Sequence, residues 1–190
     1  DYRISGEKTF VIDGHCSNLI IVAARTEGSD EDASGITLFL VEADADGIEI
    51  TKTSMVDSRN SANIKFNDIT VSSSNLLGEE NNGAAILEEE LDRAQFAISA
   101  EMLGNASQAF DVTLDYLKER KQFGSVIGTF QALQHRAAEM YSELELTKSS
   151  VIAACNAVDE NSNDLKRMAS LAKYKAGETN HLVTCLLYTS

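Results

Sequence analysis

The chain has 190 residues, of which 43% are hydrophobic and 24% are charged, and its formal net charge is -14 at pH 7. That composition is typical of a folded protein, and the length suits one large domain or two modest ones. The negative charge argues against electrostatic binding of nucleic acid or an anionic membrane surface, so an anionic ligand needs a local cationic pocket.

From Lys8 to about Leu77, short runs rich in β-branched residues alternate with turn-forming breaks. The runs with the length and composition of strands are KTFVID, NLIIVAAR, GITLFLVEA, GIEITKT and ANIKF. The breaks DGHCSN, EGSDEDAS and DADG carry residues that are typical of turns. Because LIIVAA is almost continuously apolar, we expect strands covered on both faces, in a compact barrel or sandwich.

After the stretch LLGEENNG, the apolar residues recur at steps of three and four. This period predicts one helix over roughly 84–121, a second from Phe130 and a third from Leu165. Small residues on the first helix would let a neighbour approach closely; they are Ala97, Ala100, Gly104 and Ala106. We expect an α+β fold, with a β-barrel or sandwich-like domain at 1–79 and an antiparallel helical bundle at 80–190.

The stretch ERKQFG, at 119–124, places two cations and a phenylalanine at the predicted end of the first helix. One interpretation of these residues needs only the physics of a helix end. Arg120 and Lys121 in a last turn would face the negative end of the macrodipole, and Gly124 could adopt the left-handed cap conformation. The alternative is that the cations and the ring await an anionic, aromatic ligand, and both interpretations stay open on spacing alone.

Motifs of several common protein classes are missing. The chain has no GxSxG elbow, no GxxxxGK[ST] loop and no GxGxxG between a strand and a helix, which argues against hydrolase, P-loop and nicotinamide chemistry. The histidines stand alone and the three cysteines form no CxxC pair, so we expect neither a metal site nor a disulfide framework.

No apolar run approaches the roughly 18 residues that a membrane-spanning helix needs, and DYRISGEK lacks the layout of a signal peptide. We therefore expect a cytoplasmic or matrix-like protein without a membrane span.

An ordered series of short motifs runs along the chain: GEKTFVIDG, VAART, SGITLFLVE, SRNSANIKF, NLLGEENNG, EMLGNA, ERKQFG and FQALQH. From Ser5 to about Val183, this series resembles the acyl-CoA dehydrogenase family of flavoproteins. The resemblance implies a middle β domain, a C-terminal four-helix bundle, and dimers or tetramers, homo- or hetero-oligomeric, assembled around FAD. It also implies that this chain starts inside the β domain and stops inside the bundle, which is therefore incomplete.

The resemblance implies FAD contacts around the end of the first helix. Arg120 matches the arginine that reaches the FAD pyrophosphate of a neighbouring subunit, and Phe123 would pack by the adenine portion. Phe130 and Gln131 match further dinucleotide contacts at the start of the second helix, and Gln122 belongs to the same set. From the residues alone, Phe130 could equally be a core residue of that helix.

On the β side, Phe10 matches an aromatic residue that lies against the isoalloxazine ring of the flavin. Ile12 falls where many members have a threonine that donates a hydrogen bond to the flavin, and an isoleucine side chain has no donor. Without the resemblance, both are simply strand residues. For the substrate, Asp92 matches a contacting aspartate, and Gln95 replaces an arginine near the active site.

The implied reaction is the α,β-desaturation of an acyl-CoA thioester in fatty acid metabolism, with a hydride passing to flavin N5 and then electrons to an electron-transfer flavoprotein. Ala94 lies where some members place the catalytic glutamate, and the commoner glutamate would lie beyond Ser190. We therefore expect no catalytic base in this chain and no independent turnover. Two alternatives are a non-catalytic flavin-holding or assembly subunit of a mixed-subunit enzyme and a relative of acyl-CoA oxidases.

Overall fold

The computed structural model describes residues 1–32, 34–57 and 59–189. The chain divides into two compact units, Asp1–Glu88 and Glu89–Ser190, which we call the β unit and the helical unit. Strands come first and helices second, so the predicted α+β class is confirmed. The domain boundary between residues 79 and 80 stays a prediction.

The strands of the β unit are β1 (Tyr2–Ile12), β2 (Leu19–Arg25), β3 (Ile36–Glu42), β4 (Ile48–Ser54), β5 (Asn60–Val71) and β6 (Leu76–Leu77). They form two antiparallel sheets, in the orders β1-β5-β4 and β2-β3-β6. Neither sheet closes on itself in the described residues, so the unit is sandwich-like rather than a closed barrel. All five predicted strands are present, and β1 begins at Tyr2 rather than at Lys8.

One hydrophobic core lies between the two sheets. Phe39 of β3, Ile64 of β5 and Val22 of β2 are each almost fully buried in it. Successive side chains of a strand point to opposite faces, so alternate residues of these strands reach this core wherever the strand is regular.

Strand β2 departs from the prediction that LIIVAA would be covered on both faces. Ile20 and Val22 are buried, whereas Leu19 and Ile21 are 52% and 58% exposed. The prediction is wrong because β2 belongs to a small antiparallel sheet, and only one of the faces of β2 meets the core. Its alternate apolar residues therefore stay at the surface.

The helices are α1 (Gly83–Glu119), α2 (Gln131–Asp159) and α3 (Leu165–Thr189). Their positions agree with the predicted ones to within about two residues. Phe110 clusters with Leu144, and Phe96 clusters with Val151, so residue numbers rise along α1 as they fall along α2. The antiparallel order predicted for these two helices is confirmed.

Helices α2 and α3 are also antiparallel, since Ala154 clusters with Ala172 and Leu144 clusters with Val183. The two helices also share polar contacts. The hydroxyls of Thr147 and Thr179, both buried, lie 2.7 Å apart, and Lys175 pairs with Glu143. On α1, Ala106 is buried, but the other small residues, Ala97, Ala100 and Gly104, are exposed. The expectation that these three admit a close neighbour is therefore wrong within the helical unit.

The first turn of α1 packs tightly on β3. A Cβ atom added to Gly83 would lie 2.9 Å from Leu38 Cγ and 3.0 Å from the Ile36 carbonyl oxygen. The Asn81 amide donates to Thr37 Oγ1 at 2.8 Å, and Asn82 bridges to Ile36. This turn belongs to the β unit, while most of α1 belongs to the helical unit.

Of the helices in the part of the chain described, none combines the length and the apolar composition that a membrane crossing requires.

Candidate functional site

A short hairpin follows α1, and sequence reasoning missed it. Helix α1 ends at Glu119, and strands β7 (Lys121–Gln122) and β8 (Ser125–Val126) pair antiparallel. The two residues between them, Phe123 and Gly124, have φ of 56° and 78°. Two successive positive φ angles are what a type I′ hairpin turn requires, and glycine adopts them without steric cost.

The hairpin corrects the helix-end interpretation of ERKQFG. The Arg120 amide still donates to the Tyr116 carbonyl at 2.9 Å, so Arg120 closes the helix. Lys121, however, lies in β7 and not in a last helical turn. Gly124 is left-handed as expected, but it forms the hairpin turn rather than a helix cap.

Around the hairpin, the structure brings two phenylalanines together. The rings of Phe123 and Phe130 lie 6.3 Å apart between centroids, at 67°, which is an edge-to-face arrangement. Phe123 is 91% exposed and Phe130 is 38% exposed, so Phe130 is not a fully buried core residue of α2. We call the set Arg120, Lys121, Gln122, Phe123, Phe130 and Gln131 the hairpin surface.

The hairpin surface is locally cationic on an acidic chain. Arg120 and Lys121 are exposed, and neither side chain forms an ion pair with a described residue. Lys118, one turn earlier, is paired with Asp115 at 3.4 Å. Helix α2 begins at Gln131, and the free amides of a helix N-terminus also favour negative charge. An anionic group would be favoured here.

A cavity of about 540 Å³ in the β unit contains the strand residues that the resemblance named. Its lining is Phe10, Ile12, Asp13, Met55, Asp57, Arg59, Asn60 and Ser61, which we call the strand pocket. Phe10 is 63% exposed and Ile12 is 81% exposed. The volume falls within the range of small-molecule sites, and the pocket combines apolar walls with a few polar groups.

The shape of β1 at the strand pocket depends on a bulge. Lys8 is paired with Ile64 and Val11 with Ala62, so two residues of β1, Thr9 and Phe10, oppose one residue of β5. Such bulges re-aim side chains and occur next to functional sites. Sequence reasoning identified Phe10, but no pattern in the sequence indicated the bulge.

A buried hydroxyl in the strand pocket has no partner. Ser61 is the cross-strand neighbour of Ile12, and it is 4% exposed. Its Oγ makes no hydrogen bond with any described residue. A buried polar group without a partner is uncommon and costs stability. Sequence reasoning missed Ser61, since a serine in a strand gives no signal of its partner.

Asp92 and Gln95 lie one turn apart on α1, and this spacing places them on one side of the helix. Asp92 is 9% exposed, and the backbone carbonyl of Gln95 accepts a hydrogen bond from Ser99 Oγ at 2.5 Å. Their role toward a substrate stays a prediction.

Comparisons with known proteins match both units. The family described as "Acyl-CoA dehydrogenase, middle domain" matches residues 1–69, and "Acyl-CoA dehydrogenase, C-terminal domain" matches residues 81–186. The short/branched chain specific acyl-CoA dehydrogenase, mitochondrial, of Bos taurus is 33% identical over 186 residues, which cover 96% of this chain and 43% of that protein. Subunit CarC of the caffeyl-CoA reductase-Etf complex from Acetobacterium woodii is 32% identical over 181 residues, covering 93% and 47%.

Solved structures agree. Butyryl-CoA dehydrogenase from Megasphaera elsdenii superposes with a TM-score of 0.89 at 28% identity, over 98% of this chain and 49% of that one. PigA with FAD and proline superposes with a TM-score of 0.89 at 27% identity, over 96% and 48%. The chain thus spans about half the length of the proteins it matches.

Proposed function

Because this chain belongs to the acyl-CoA dehydrogenase family, we propose that it is the FAD-holding part of an enzyme that desaturates an acyl-CoA thioester between its α and β carbons. The observation that carries the proposal is the hairpin surface, where an exposed aromatic pair stands beside cations without ion-pair partners in the described chain. Few sites on so acidic a chain could attract an anionic dinucleotide.

The groups present at the hairpin surface suit the phosphate and adenine portions of FAD. The Arg120 guanidinium has paired donors that match phosphate oxygens, and we assign it to the pyrophosphate of an FAD bound by a neighbouring subunit. Phe123 and Phe130 offer ring faces and edges for the adenine. Gln122 and Gln131 are exposed amides at the rim of the same surface.

The groups present in the strand pocket suit the isoalloxazine ring of FAD. Exposed Phe10 and Ile12 give the ring an apolar wall, and the unpartnered Ser61 hydroxyl gives the pocket a polar group. Ile12 supplies no side-chain donor, so hydrogen bonds to the ring must come from backbone amides or from other side chains. When bound, FAD accepts the hydride that leaves the β carbon of the substrate.

On the substrate side, we assign Asp92 and Gln95 to the region that contacts the acyl-CoA. Gln95 carries no positive charge, so this chain does not polarise the substrate through a cation at that position. Ala94 cannot act as a base, and we place the carboxylate that removes the α proton outside residues 1–190. In this assignment, the described chain binds and orients the cofactor.

We further propose that an electron-transfer flavoprotein takes the electrons, and that the protein assembles as a dimer or tetramer. The CarC relative, a subunit of the caffeyl-CoA reductase-Etf complex, supports the electron-transfer partner. The assignment of Arg120 to the cofactor of a second subunit requires an oligomer, formed either by copies of this chain or by a related subunit.

The direct test uses the whole protein expressed from the full-length gene. We expect a yellow protein whose visible FAD absorbance bleaches when an acyl-CoA is added without oxygen. A colourless protein that ignores acyl-CoAs contradicts the proposal.

Two other functions have separate readouts in the same experiment. One is a flavin-holding assembly subunit, which would stay yellow and would not bleach. It is favoured because Ile12 offers no donor and because Ala94 is not a carboxylate. An acyl-CoA oxidase relative would bleach and then produce hydrogen peroxide in air, whereas a dehydrogenase would reduce an electron-transfer flavoprotein instead.

A further inference from the structure

The backbone at Phe10 is unusual for its residue type. Its φ is 54°, in the left-handed region, where bulky side chains are rare because the Cβ atom approaches the following carbonyl oxygen. A residue stays in this region only when its surroundings hold it there. The bulge leaves Phe10 without a Cα partner on β5, so the regular ladder does not hold it.

The group that holds Phe10 is a side chain. The backbone amide of Phe10 donates to Oδ1 of Asn63 at 3.2 Å, and Asn63 is the single β5 residue that faces the bulge. Asn63 is half-buried and lies on the central strand of its sheet, between β1 and β4. Its amide side chain thus takes the place of the backbone acceptor that the bulge removes.

A second bulge in the same strand pair also contains a left-handed residue, Asp68. Asp68 has a φ of 55°, its carboxylate pairs with Arg3, and its amide also donates to a side-chain oxygen, Ser5 Oγ, at 3.2 Å. Aspartate also tolerates this region better than phenylalanine does. The Phe10 ring, by contrast, is 63% exposed, so the conformation does not serve to bury the ring in the core.

We propose that Asn63 is a positioning residue for the ligand of the strand pocket. By holding the Phe10 amide, it fixes the left-handed backbone that presents the Phe10 ring to the pocket, and this inference rests on the proposed function, in which a flavin ring lies against Phe10. Asn63 itself does not line the pocket, so it acts through Phe10. The nearby exposed Ile12 completes the apolar wall.

The test compares variants of the whole protein, stripped of FAD and titrated back with it. Asn63→Leu removes the acceptor at similar volume, whereas Asn63→Asp keeps an acceptor oxygen at the same place. Asn67→Leu is the matched control, because Asn67 lies on the same strand and also loses one side-chain hydrogen bond, which it donates to Glu49 at 2.9 Å. The readouts are the FAD dissociation constant and the visible circular dichroism of bound FAD.

We expect Asn63→Leu to weaken FAD binding about 3- to 10-fold, which corresponds to the loss of one hydrogen bond, and to change the visible dichroism. Asn63→Asp should keep most of the FAD affinity and of the visible dichroism, and Asn67→Leu should change neither quantity. Adding Asn63→Leu to Phe10→Leu should cause no further loss, since the two residues act as one unit. If Asn63→Leu does not fold, Asn63→Ala against Asn67→Ala gives the same comparison.

Wild-type values for Asn63→Leu, or equal effects of Asn63→Leu and Asn67→Leu, would overturn the inference and leave the proposed function standing. A whole wild-type protein that binds no FAD would contradict the proposed function, and the inference would fall with it.

Discussion

Phe10 in the β unit and Phe123 in the helical unit share a rare state. Both have φ near 55°, and both rings are largely exposed, at 63% and 91%. They are held differently, however. Phe123 sits in a two-residue turn whose strands are its own chain neighbours, whereas Phe10 is held by Asn63, which is 53 residues away in sequence.

The difference shows that one backbone conformation can have a local or a long-range cause. A hairpin turn is specified by the residues within it, and Gly124 next to Phe123 is such a signal. A bulge held by a distant side chain forms only when the sheet is assembled. We therefore expect the hairpin surface to respond to changes inside 120–125, and the strand pocket to changes on another strand.

Removal of Arg120 should have the largest effect on the hairpin surface. In the whole protein, Arg120→Ala should weaken FAD binding about 10- to 100-fold, because a charge-assisted hydrogen bond to phosphate is lost. Arg120→Lys should lose less, since the charge stays but the paired donors do not. The measurement is a titration of the FAD-free protein with FAD.

Lys118→Ala is the control for Arg120→Ala. Lys118 lies near the same helix end but is already paired with Asp115, so we expect its removal to leave FAD affinity unchanged. Equal losses for the two alanine variants would show a general effect of charge rather than a contact by Arg120.

Two glycines of the helical unit should respond to alanine with opposite signs. Gly124→Ala should lower the free energy of unfolding by about 1 kcal/mol, because the φ of Gly124 is 78° and an L-residue is strained there. Gly104→Ala, in the interior of α1, should raise it by about 0.5–1 kcal/mol. A Cβ atom at either position meets no atom within 4 Å, so steric contacts do not blur the comparison.

Urea denaturation monitored by circular dichroism measures both changes. If the two substitutions shift the midpoint in the same direction, the left-handed turn at 123–124 is not maintained in solution.

Relief of the backbone strain at Phe123 should separate stability from binding. Asparagine before glycine is strongly preferred in this turn type, so Phe123→Asn should raise the free energy of unfolding by about 0.5 kcal/mol. The same change removes the ring that packs against Phe130, so FAD binding should weaken. Thermal denaturation and FAD titration check the two halves. A variant that is less stable than the wild type would contradict the assignment of strain.

The smallest expected effect concerns the turn at 28–32, where Gly28 is left-handed and the Asp32 carboxylate accepts hydrogen bonds from Ser29. The Ser29 amide donates to the Asp32 carboxylate at 2.7 Å, and this hydrogen bond, followed by one from the Ser29 hydroxyl, lowers the pKa of Asp32. A lowered pKa in the folded state adds stability above the unfolded pKa of about 3.9, and this stability is lost as the pH falls through the folded value.

Asp32→Asn should therefore reduce stability at neutral pH and make the acid limb of the stability curve shallower. Denaturation midpoints measured between about pH 2 and pH 7 test this, with Asp30→Asn, in the same exposed loop, as the control. Identical pH profiles for Asp32→Asn and the wild type would contradict the role of the Ser29 contact.

Much of the fold follows from local patterns in the sequence. The three- and four-residue period predicted α1, α2 and α3 closely, since a helix of 37 residues such as α1 repeats its signal many times. The strands were found from their composition. The exposed face of β2 was not, because an apolar run does not reveal whether other elements cover both faces of its strand.

The two candidate sites also differ in how far the sequence predicts them. The basic and aromatic residues of the hairpin surface all lie within one short stretch, 120–131, so the sequence indicates them without the hairpin. In the strand pocket, Phe10 and Ile12 were named only through the resemblance. Asn63 and Ser61 had no signal, because their importance depends on the register between β1 and β5.

The close packing of Gly83 against β3 has a consequence for the order in which the chain folds. Starting a helix in isolation is costly, since several residues must be fixed before the first hydrogen bond is made. Here strand β3 acts as a template that organises the opening turn of α1. Helix α1 would then lengthen from this preformed first turn toward its C-terminus, which is also the direction of protein synthesis. The sheets would form first and nucleate the helix that follows them in the chain.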